Sequence, residues 1–102
     1  MNKLIRDGKV AVLISPGFGA GWSTWNQELP EMLFDSGMAG LVLVGDKGQM
    51  RVYASIKWPG AYLGGLEDLA VEWVDQGQLI KINEYDGSES IEYRDRDNWI
   101  TV

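Results

Sequence analysis

Residues 10–25 read VAVLISPGFGAGWSTW, and this stretch decides the fold. The apolar run from Val10 to Ile14 shows no alternation. A strand of that kind needs both faces covered, so it belongs inside a sheet or between two layers. Pro16-Gly17 ends it. Glycines then fall at alternate positions, Gly17, Gly19 and Gly21, and Trp22 and Trp25 flank Ser23 and Thr24. Such a loop offers backbone N–H groups that no side chain shields, and a candidate helix N-terminus follows, so it suits an anion such as a phosphate. The lysine of a P-loop and the GxGxxG spacing of a dinucleotide fold are both missing. The glycines would equally serve a tight strand exit and the tryptophans a core, and both readings stay open.

Working outward, Asp7-Gly8 reads as a turn between an N-terminal strand or arm and the strand at 10–15. Downstream, Ser23, Thr24 or Asn26 can cap a helix, and Glu28, Pro30 and Glu31 suit its first turn. Leu29, Met32 and Leu33 give an apolar stripe, so a short helix is expected up to Asp35-Ser36-Gly37. Residues 38–58 fit two patterns. Alternation gives a hairpin, with Leu41 to Val44 and then Met50, Val52, Ala54 and Ile56 on either side of Gly45-Asp46-Lys47-Gly48; helical spacing puts Met50, Tyr53, Ala54 and Lys57 on one face. The valines favour strands. Lys47 and Arg51 point the same way in both.

A second glycine-rich loop, WPGAYLGG at 58–65, again carries aromatics. Leu69, Val71 and Trp73 then alternate with Ala70, Glu72 and Val74 as a strand, and Gln76-Gly77 turns into the next. With Asp86-Gly87 at the centre of a two-residue type I′ turn, Ile80 faces Tyr93, Lys81 faces Glu92, Ile82 faces Ile91 and Glu84 faces Glu89. The last is a like-charge pair that needs solvent or a cation. A short final strand is expected near Trp99 to Val102. The architecture is α+β in a single domain, residues 1–102: a small, mostly antiparallel sheet from the N-terminal strand and a C-terminal meander, packed with short helices from the middle third.

The 102 residues contain no cysteine and no histidine. Disulfides and thiolate zinc sites are excluded, and the commonest general base and metal ligand are missing. Ser15, Ser23 and Thr24 have nothing to activate them, and Glu84, Asp86 and Glu89 lack the ligand density of a calcium loop. No catalytic residue, cofactor or metal is expected. The charged N-terminus and the shortness of the apolar runs predict neither a signal peptide nor a membrane anchor, hence a cytoplasmic protein. Net charge is -6, and the excess lies in the last third, where ten carboxylates meet only Lys81, Arg94 and Arg96. That balance disfavours duplex nucleic acid and suits either a basic protein partner or plain solvation.

Phe18, Trp22, Trp25, Trp58 and Tyr62 lie in or beside the two glycine loops, where aromatic faces could stack a nucleobase at roughly 1 to 3 kcal/mol per base. The stretch Lys9 to Asn26, with AYLGG at 61–65, VEWV at 71–74 and EYDGSESIE at 84–92, resembles a family of small proteins encoded by tailed bacteriophages and prophages. Members of that family are more helical between the two glycine loops; here Gly40, Gly45 and Gly48 interrupt the region, but the likeness tips 38–58 towards helices. It implies action in the host bacterial cytoplasm, by binding, against host immunity. The leading expectation is a non-enzymatic counter-defence protein that sequesters a nucleotide-type immune signal, with a homo-oligomer as one arrangement. Gly17, Gly19 and Gly21 would approach phosphate, Trp22 or Trp25 would stack a base, Phe18, Ser23 and Thr24 would line the loop, and Lys47 or Arg51 would neutralise charge. The rival is an acidic inhibitor or DNA mimic that blocks a basic host protein surface.

Overall fold

The structure is a computed structural model and describes residues 2–94. Strands β1 (Ile5–Arg6) and β2 (Lys9–Ile14) pair antiparallel across Asp7-Gly8, both at positive φ, and β3 (Ala70–Asp75) pairs antiparallel along the other edge of β2. The order β1-β2-β3 puts the unbroken apolar run in the centre of the sheet, with Val10 to Ile14 all buried. Ala11 and Leu13 face a cluster built from Met32, Met38, Ala39, Met50, Ala54 and Trp58. Val12, Ile14 and Val74 face a second cluster with Ile80, Ile82, Ile91 and Tyr93. Both faces are therefore covered, one by helices and the other by a hairpin.

The middle of the chain is helical, in α1 (Ser36–Val44) and α2 (Lys47–Lys57). Local chemistry at three residues explains the pair. The Asp35 carboxylate accepts the Met38 N–H at 2.9 Å and starts α1. Gly45, at φ 83, ends it by donating to Leu41 O and Val42 O, and the Asp46 side chain accepts Gln49 N–H at 3.1 Å to start α2. The hairpin suggested by alternation over 38–58 does not form. The helix expected before Asp35 is also absent. Two 3-10 turns, Ser23–Trp25 and Pro30–Leu33, replace it, because Leu29 precedes a proline and sits at φ -125, ψ 66, outside the helical region. Asp35-Ser36-Gly37 begins a helix where the sequence suggested an end.

The C-terminal hairpin pairs β4 (Ile80–Tyr85) with β5 (Ser88–Tyr93) in the expected register, Ile80 with Tyr93 through Glu84 with Glu89. Asp86 (φ 49) and Gly87 (φ 84) both take positive φ, as a type I′ turn requires. Lys81 and Glu92 stand 3.5 Å apart. The expected meander is split, however: β4-β5 is a separate two-stranded sheet and does not extend β3. Its isoleucines bury themselves against the face of the larger sheet, and Tyr93 donates to Glu72 of β3 at 2.8 Å. The strand expected near Trp99 lies outside the described residues. No helix among the described residues is long and apolar enough to cross a membrane.

Candidate functional site

The loop after β2 is closed around a carboxylate supplied by β5. Glu89, 2% exposed, accepts Ser15 N–H on Oε1 at 2.8 Å. Its Oε2 accepts Trp22 N–H at 2.8 Å, Thr24 N–H at 3.1 Å and the Thr24 hydroxyl at 2.5 Å. Three main-chain donors and a hydroxyl converge on one buried side chain. An anion seat was expected here from Gly17, Gly19 and Gly21; the donors that gather on the internal carboxylate are instead those of Ser15, Trp22 and Thr24, and Gly19 N–H goes to Asp86 O. This arrangement also resolves the Glu84–Glu89 pairing. Glu89 turns into the loop, while Glu84 accepts Gly87 N–H at 2.7 Å, so no cation is needed between them.

Further bonds lock the hairpin turn to the loop. Gly19 N–H donates to Asp86 O at 2.7 Å, Glu89 N–H to Ser15 O at 2.8 Å and the Ser88 hydroxyl to Pro16 O at 2.8 Å. Gly19 itself sits at φ 97. A Cβ on Gly65 would lie 2.5 Å from Gly21 O, so the two glycine loops touch backbone to backbone. Asp68 lies against Gly17.

The candidate residues divide. Trp22 is fully buried; its indole N–H donates to Met32 O at 2.7 Å and its ring meets Trp58 edge to face at 5.8 Å. It has no face to offer a ligand, which removes it as a stacking residue. Trp25 is 38% exposed and touches Tyr62 with ring centroids 5.1 Å apart. Phe18 stands out at 72% exposure, one residue from Gly19, while Tyr85, 78% exposed, adjoins Asp86 on the facing turn. Ser23 begins the 3-10 turn whose second residue, Thr24, holds Glu89. Lys47 and Arg51 do point the same way, but both engage Glu67, whose main-chain oxygen Lys47 reaches at 2.8 Å. They are committed to Glu67 beside the 3-10 turn Leu66–Asp68.

Two features escaped the sequence reading. Asn26 joins the glycine loops, donating from Nδ2 to Trp22 O and Tyr62 O and accepting Tyr62 N–H, all at 2.8 Å. The concavity beside it, about 530 Å³, lies between residues 24–29 and 59–61. Asp35 is the second. It binds Lys57 Nζ at 2.6 Å and the Tyr53 hydroxyl at 2.6 Å. Burial pushes its carboxyl up, but hydrogen bonds from Lys57, Tyr53 and Met38 together outweigh that and hold it below its ordinary value. Tyr53 is raised by burial and then by its bond to Asp35, and Lys57 is raised chiefly by its hydrogen bond to Asp35. All three shifts favour the charge states already present, as in a structural clamp and unlike a poised acid or base.

Lysine and arginine occur nowhere in residues 15–46, 58–80 or 82–93. All three converging loops come from these segments, so this end of the molecule presents Phe18, Trp25, Tyr62 and Tyr85 beside Glu28, Asp68 and Asp86 with no basic side chain of its own loops. No family model, curated protein or solved structure matches the chain.

Proposed function

We propose that the protein is a non-enzymatic binding protein, of the counter-defence kind that the phage resemblance implies, whose loop end covers a basic surface on a host defence protein in the bacterial cytoplasm. The observation that carries this reading is the coincidence of exposed aromatics and carboxylates on loops without a single lysine or arginine. Aromatic anchors with a charged rim are the usual composition of a protein interface. The rival reading from the sequence thus gains, with its contact surface moved from the C-terminal strands to the loops. Of the carboxylates on those strands, Glu89 is internal, Glu92 faces Lys81 and Glu72 holds Tyr93.

The nucleotide reading survives in one narrower form. The concavity beside Trp25 could take a base, but a phosphate at the loop would meet the Glu89 carboxylate on the Ser15, Trp22 and Thr24 N–H groups, and Lys47 and Arg51 are paired with Glu67.

The test is affinity capture from host lysate with the wild type and with Asp68→Lys/Asp86→Lys. The expected result is a basic partner held by the wild type, lost in the double variant and retained by Glu92→Lys. Capture that tolerates the double variant but fails with Glu92→Lys returns the contact to the strands. A thermal shift with nucleotides and no captured protein would favour the base-binding form; ligand at about 100 times its dissociation constant adds roughly 2.7 kcal/mol.

A further inference from the structure

We propose that the concavity between Trp25 and residues 59–61 is a seat for an arginine side chain of the partner; this deepens the reading above and rests on it. Its volume, about 530 Å³, lies within the range of small-ligand sites. Trp25, Leu29, Pro59 and Ala61 line it, and supply apolar surface for the aliphatic stem. Glu28 lines the same space and has no ion-pair or hydrogen-bond partner among the described residues. No lysine or arginine lines it.

The walls are held in place before any ligand arrives. Asn26 ties the main chain at Trp22 to that at Tyr62 through three bonds of 2.8 Å, and Tyr62 supports the Trp25 ring at 5.1 Å. A fixed, half-exposed indole next to an unpaired carboxylate matches a guanidinium better than any other common group. Guanidinium is planar and weakly hydrated, stacks on an aromatic face and forks onto a carboxylate. A phosphate would find only Glu28 and neutral groups, which is repulsive. An ammonium would satisfy the charge without the stacking.

The experiment is a titration of the protein with acetyl-Gly-Arg-Gly-amide and its lysine and citrulline counterparts, read from the indole N–H signals of the five tryptophans. The Trp25 signal is assigned from Trp25→Phe. The arginine peptide should move it saturably, with a dissociation constant on the order of millimolar, while Trp22 and Trp58 stay put. Lysine should bind about threefold more weakly and citrulline about tenfold more weakly, and Glu28→Gln should abolish the preference for arginine over citrulline. A Trp25 signal that does not move, or one that citrulline moves as well as arginine, overturns the seat. So does a stronger response to adenosine monophosphate, which would assign the concavity to a base. Failure here leaves the capture test with Asp68→Lys/Asp86→Lys standing, whereas a wild type that captures nothing while still binding the arginine peptide refutes only the larger interface.

Discussion

The Glu89 carboxylate and the Trp22 backbone N–H, 67 positions apart in the chain, meet at 2.8 Å in the protein interior. A glycine-rich turn capable of holding an external anion instead holds an internal one. The loop is shaped by that bond and its three companions, and the aromatics around it are sorted by it: Trp22 inward, Trp25 and Phe18 outward.

Glu89→Ala removes the acceptor from three main-chain donors and a hydroxyl at once. Unsatisfied buried donors cost about 1 to 3 kcal/mol each when water cannot reach them, so a loss of about 3 kcal/mol or more is expected. Glu89→Gln keeps one acceptor oxygen but turns an amide N–H₂ towards the remaining donors, and should lose nearly as much. Urea unfolding midpoints measure both; a change under about 1 kcal/mol would mean that water replaces the carboxylate without penalty.

The two tryptophans of the loop should behave oppositely. Trp22→Ala opens a cavity beneath Trp58 and orphans Met32 O, with an expected loss of about 3 to 5 kcal/mol. Trp25→Ala should cost about 1 kcal/mol or less, because the ring is partly exposed and its indole N–H has no partner among the described residues. Thermal unfolding of the pair checks this, and partner capture should be lost with Trp25→Ala in a protein that is still folded.

Two glycines offer a contrast of sign. Gly40 lies inside α1 with nothing within 4 Å of the position a methyl would take, so Gly40→Ala should stabilise by about 0.5 to 1 kcal/mol through helix propensity. Gly65→Ala would drive a methyl to 2.5 Å from Gly21 O, and should destabilise by about 1 to 3 kcal/mol. Unfolding midpoints of the two variants should move in opposite directions.

Acid sensitivity should centre on Asp35. Its pKa is lower in the folded protein than the ordinary 3.8, so its contribution is complete above that value and disappears as pH falls through the folded value. Asp35→Asn should therefore be less stable than wild type at neutral pH and should flatten the stability profile below about pH 4. Lys57 works with the other sign: its folded pKa lies above 10.5, so its contribution is complete below that value and lost as pH rises through the folded one. Denaturant midpoints across pH for wild type and Asp35→Asn test the first statement, and parallel profiles would overturn it.

Elements with a strong local signal were legible in the sequence. The central strand announced itself by apolar residues on both faces, and the β4-β5 register followed from Asp86-Gly87 and the matching of Ile80, Ile82, Ile91 and Tyr93. Local chemistry with two uses misled. Asp35 reads equally as a helix stop or a helix cap, and only its bond to Met38 N–H decides. Leu29 and Met32 kept helical spacing, yet Pro30 limited them to a 3-10 turn. Glu89 read as half of a like-charge pair with Glu84, which the register bears out. Nothing local says which of the two turns inward, because the partners of Glu89 are Ser15, Trp22 and Thr24, 65 or more positions away. The split of the meander is equally non-local, set by the isoleucines finding the face of the first sheet.

The bond between Ser15 and Glu89 closes a loop of 74 positions, which gives the loop end a schedule as well as a shape. Closing so long a span costs entropy before any contact returns it, so such contacts form late in folding. During synthesis, Ser15, Trp22 and Thr24 leave the ribosome long before their acceptor does. Until β5 is present these N–H groups lack the Glu89 acceptor. The loop end takes this shape only once β5 is present.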